Sequence, residues 1–84
     1  MVKERIEIML IVHKQKKQYY IEVPISITAN DLVLALNQAY ALGIDTDDIT
    51  NCYLKVENPI VLLKGNKTIG EYGLRNGSVI HFTN

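Results

Sequence analysis

The sequence predicts an α+β domain in which one helix packs across one mixed sheet of four to five strands. Three observations carry this expectation. Segments with period-two apolar alternation open and close the chain. A single central segment has helical periodicity with signals at both of its ends. The chain has 84 residues, which makes one small domain over 1–84 and leaves no room for a second. A domain of this size hides only about 60–65% of its unfolded surface, so its core must be efficient. The apolar share of 48% meets that demand.

From Arg5 to His13, Ile6, Ile8, Leu10 and Val12 alternate with Glu7, Met9 and Ile11, as a strand with one firmly buried face requires. "QYYIEV" alternates again, with Tyr19, Ile21 and Val23 on one side and Tyr20 and Glu22 on the other. The polar "HKQKK" between them, His13 to Lys17, reads as a solvated hairpin tip. Pro24 lacks a ladder N–H and should close the second strand.

Thr28 begins "TANDLVLALNQAYALG" and can cap the first backbone N–H groups, with Asp31 favouring the positive helix end. Leu32, Leu36, Ala39 and Tyr40 form the expected buried stripe, widened by Val33 and Ala35; Asn30, Asn37 and Gln38 fall to water. Gly43 is expected to supply the left-handed stop, with Ile44 the apolar residue beyond it. "IDTDDITN" is a polar connection. "CYLKVE" places Leu54 and Val56 on one face, and Tyr53, Lys55 and Glu57 on the other. Asn58-Pro59 and Gly65-Asn66 are turns around the short strand "IVLL". "TIGEYGLRNG" is too rich in glycine for a regular element, and "SVIHF" is the last strand. The order is therefore ββαβββ. If the first and last strands pair, the sheet closes around the helix as a β-grasp.

Nine basic and nine acidic residues give a formal charge of zero, without the basic excess of a nucleic-acid binder. No run approaches the roughly 20 apolar residues of a membrane span, and no signal peptide is evident, so direct membrane insertion is not expected. Cys52 is the only cysteine, which fits a cytoplasmic location and an inert core thiol. The sequon at Asn66 would matter only in a secreted eukaryotic protein. His13 and His81 read as surface side chains, so no catalytic residue is assigned. "DTDD", from Asp45 to Asp48, lacks the ligand ladder and closing glutamate of a calcium loop, so neither metal nor cofactor is expected. What remains is surface. With the Ile6 face turned to the helix, Met9, Ile11 and Tyr20 face outward, and Tyr53, Lys55 and His81 extend that face. These six are the expected protein-binding residues.

"YYIEVPISITANDLVLAL" resembles the second strand and helix start of ubiquitin, and "TIGEYGLRNGSVIHF" resembles its closing segment, including Tyr72, Leu74 and His81. The resemblance covers nearly the whole chain and implies a ubiquitin-like β-grasp. Ubiquitin and its conjugated relatives continue into a flexible tail ending in Gly-Gly, the group an activating enzyme adenylates. This sequence closes on "HFTN", so a protein modifier or sulfur carrier is not the expectation. A free-standing ubiquitin-like protein of this length, with its "YLKVEN" strand and "GLRNGSVIHF" ending, is similar to the YukD/EsaB family. Those are small cytoplasmic accessories of the type VII (WXG100, ESX-like) secretion systems of Gram-positive bacteria. The resemblance implies non-covalent binding to a protein partner, such as a membrane or ATPase component of the secretion machine. A generic ubiquitin-like adaptor unrelated to secretion is the alternative. Glu57 stands near where ubiquitin's apolar recognition patch carries an aliphatic residue, so ubiquitin-type receptors need not bind.

Overall fold

A computed structural model describes residues 4–45, 47 and 53–83. Strands β1 (Arg5–Val12) and β2 (Lys17–Pro24) form an antiparallel hairpin in the register Met9 opposite Tyr20 and Ile11 opposite Gln18. Its tip is a short 3-10 turn, His13–Gln15, closed by Lys16 in the left-handed region, whose N–H donates to the His13 carbonyl at 3.1 Å. The helix α1 (Ala29–Tyr40) follows, then β3 (Leu54–Glu57), β4 (Val61–Leu63) and β5 (Val79–Phe82). The sheet runs β2-β1-β5-β3-β4, and only β1 and β5 are parallel. The first and last strands therefore pair at the centre, as the β-grasp reading required.

Alternation decides which face is buried. Ile8, Leu10, Leu54, Leu63 and Ile80 turn inward and meet Leu32, Val33 and Leu36 of α1. Burying a side chain of this kind is worth about 1.5–3 kcal/mol. Thr28 caps α1 as expected, its Oγ1 accepting the Asp31 N–H at 3.1 Å.

The helix differs from expectation in two respects. Its buried stripe is Ala29, Leu32, Val33 and Leu36, while Ala35 and Ala39 are exposed. Tyr40 is half-buried, packed on Tyr19 with ring centroids 4.4 Å apart. The left-handed cap is also earlier, at Ala41 (φ 51°), with Gly43 (φ 77°) continuing the turn two residues on. Leu42, the residue after this turn, is buried in the core. Asn37 is accordingly half-buried and not merely solvated: its side chain accepts the Ile44 N–H at 2.9 Å and donates to the Ile44 carbonyl at 3.1 Å.

The irregular stretch before β5 is held by polar contacts that periodicity does not announce. Thr68 and Glu71 bond reciprocally, the Thr68 N–H reaching Glu71 Oε1 and the Glu71 N–H reaching Thr68 Oγ1, each at 3.1 Å. The Tyr72 hydroxyl donates to the Lys64 carbonyl at 2.6 Å. Ser78 is fully buried: its Oγ accepts the Arg75 N–H at 3.0 Å and donates to the Asn58 carbonyl. Asn76 Oδ1 accepts the Glu7 N–H at 2.8 Å, which anchors this loop to the start of β1.

Candidate interaction face and the histidine pair

The outer face of the sheet is assembled by register. One row across the strands is Tyr20, Met9, Val79, Glu57; the next is Gln18, Ile11, His81, Lys55, Leu62. With strands about 4.8 Å apart, the longer row spans about 19 Å. Tyr20 is 69% exposed and Leu62 45% exposed, while Met9, Ile11 and Val79 are half-buried between their neighbours. The structure thus brings five of the six expected residues together: Met9, Ile11, Tyr20, Lys55 and His81. Tyr53 stands one residue before β3, half-buried, and no strand register ties it to the others. Val79, Leu62, Glu57 and Gln18 complete the rows; parity with His81 places Val79, whereas the all-apolar "IVLL" has no alternation that would place Leu62.

His13 and His81 do not stand apart as two surface side chains. His13 Nε2 lies 2.8 Å from His81 Nδ1, and His81 Nε2 lies 2.9 Å from Glu57 Oε1. Parity put His81 and Glu57 on the same face; only the parallel pairing of β1 with β5 carries the hairpin tip to His81. A Glu–His–His chain can pass protons. Here it lies on a solvated sheet face, away from the water-excluded surroundings that make a general base effective.

Among the described residues, no group of three or more His, Cys, Asp or Glu side chains is placed to hold a metal ion. In the "DTDD" loop, Asp45 Oδ1 accepts the Asp47 N–H at 3.0 Å, a local turn contact. Asp48 and Cys52 lie outside the described residues. No helix among the described residues is long and apolar enough to cross a membrane.

A helix cradled by five strands, with β1 and β5 parallel at the centre, defines a ubiquitin-like β-grasp protein. The C-terminal ubiquitin-like domain of mouse tubulin-specific chaperone e is similar, with a TM-score of 0.71 at 12% identity, over 100% of this chain and 92% of that one. A de novo designed protein based on ubiquitin reaches a TM-score of 0.63 at 16% identity, over 92% and 84% of the two chains. The ubiquitin-like domain of Plasmodium falciparum Dsk2 gives 0.61 at 18% identity, over 93% and 97%. These likenesses concern the fold. The family model for protein YukD of the WXG100 protein secretion system matches residues 7–82, and the chain belongs to that family. No curated protein sequence matches it significantly.

Proposed function

We propose that the protein is a non-enzymatic, cytoplasmic accessory of the WXG100 secretion system that acts by non-covalent protein–protein binding. Membership of the YukD family supports the association with secretion. The binding mode is carried by one observation, the continuous outer face on which Tyr20, Met9, Ile11, Val79 and Leu62 lie in adjacent cross-strand rows with Lys55 and His81 among them. Such a mixture of aromatic, aliphatic and few charged groups suits a protein partner. A membrane or ATPase component of the secretion machine is the partner expected. Replacing Met9 and Ile11 together by serine removes apolar contact area from this face and leaves the inward residues in place. We expect the folded double variant to lose secretion of WXG100 proteins in its native cells. Undiminished secretion with a folded variant would show that the face is not the docking surface.

A further inference from the structure

The two imidazoles meet end-on at the seam between the hairpin tip and β5. Their facing nitrogens are 2.8 Å apart, and their ring centroids are 5.1 Å apart with the planes inclined by only 26°. The centroids thus stand back from the nitrogens by one ring radius each, so both nitrogens lie on the line between the rings. That approach suits a shared proton. A metal ion held in line between two imidazole nitrogens needs about 4 Å between them, two bonds of about 2.0 Å. An angled ion would need the rings to converge on a point and not to face each other.

Glu57 fixes the direction of the chain. An ionised carboxylate only accepts, so His81 Nε2 carries the hydrogen it donates to Glu57 Oε1. In the neutral ring, His81 Nδ1 then offers a lone pair, and His13 Nε2 donates to it. One proton taken from solvent leaves this chain intact, whether it rests on His13 Nδ1 or on His81 Nδ1 with His13 shifting tautomer. A second cannot. Both facing nitrogens would then bear hydrogen, and two cationic rings would oppose each other with no acceptor between them.

We propose that Glu57, His81 and His13 form a proton-counting clamp, which holds the hairpin tip against β5 until the imidazole pair carries two added protons. His13 is the partner that yields, because it is exposed on a three-residue turn, whereas His81 is held in β5 and by Glu57. The surrounding charges favour opening. Lys55 on β3 is the register partner of His81, and Lys14, Lys16 and Lys17 surround the tip. On the outer face itself, the β1 and β2 residues in the row of His81 are Ile11 and Gln18, which carry no charge. Imidazole is the side chain that takes up a proton most readily near neutrality, so added acid is what the clamp counts. Opening remodels the outer face itself, since Ile11 and His81 are partners there.

The test is an NMR titration of both histidine rings in the isolated protein from about pH 8 to about pH 5. We expect protonation in two interdependent steps, a ring-to-ring contact that survives the first step, and its loss in the second with the core signals of Leu10 and Ile80 unchanged. His13→Asn should collapse the His81 titration to one step, and Glu57→Gln should move the first step to lower pH. Each ring titrating as it does without the other would overturn the clamp, as would a contact that persists when both are charged. If acid unfolds the whole domain, the effect of His13→Asn on the first step still decides.

Discussion

Ala41 and Ser78 show how single residues carry the details that patterning does not. Ala41 occupies the left-handed region at φ 51°, where a Cβ is crowded by roughly 1–2 kcal/mol. Glycine is relieved of that crowding but is freer in the unfolded chain, so Ala41→Gly is expected to stabilise the protein by up to about 1 kcal/mol in denaturant unfolding. Ser78→Ala should act in the opposite direction. It removes the Oγ that accepts from Arg75 and donates to Asn58, leaving polar backbone without its partner in a buried place. A loss of about 1–3 kcal/mol is expected by the same measurement. Neither site was legible in the sequence. The "ALG" segment offers a glycine as the obvious stop, whereas the cap falls two residues earlier, with Leu42 buried and Asn37 bonded to Ile44. Ser78 reads as the first residue of the strand "SVIHF", whereas β5 begins at Val79 and Ser78 is buried under the loop before it.

At the scale of elements, strand parity was legible because a one-residue slip would expose Ile8, Leu10 and Ile80. Helix ends and the segment from Lys64 to Ser78 were less so, because side-chain-to-backbone bonds decide them and these have no period. The Thr68–Glu71 turn is the clearest case. Hydrogen bonds from the Thr68 backbone and hydroxyl hold the Glu71 carboxyl below its ordinary value, against the opposing effect of desolvation and with a lesser contribution from the charge of Lys67. A carboxyl lowered in the folded state stabilises the fold fully above its unfolded value, and that contribution is lost as pH falls through the lowered one. Wild type should therefore lose more stability than Glu71→Gln on acidification from neutral pH through that window. Thermal unfolding of both proteins across the range checks this; parallel curves would refute it.

At the scale of the whole molecule, the sheet separates two roles. Its inner face meets the helix and makes the core; its outer face presents Met9, Ile11, Tyr20, Lys55 and His81 in register across strands that are distant in sequence. Strand parity put these five on that face, and put Tyr53 there as well, which no strand register ties to them. The connection of that face to His13 could not be read this way, because it depends on the register of the parallel β1–β5 pair, which local periodicity leaves unset. The same division predicts opposite outcomes for superficially similar substitutions. Leu10→Ala empties a fully buried position and should cost about 2–5 kcal/mol of stability. The double change of Met9 and Ile11 to serine should leave the cooperative unfolding transition in place and remove partner binding.

The most direct measurement is capture of N-terminally tagged wild type and Met9/Ile11 double variant from native cells, with gentle and with denaturing washes and identification of the bound proteins. A secretion-system component held by wild type in the gentle wash alone, and not held by the folded variant, is the predicted result. Adducts that survive denaturation, or equal capture by the variant, would contradict non-covalent docking through the outer face.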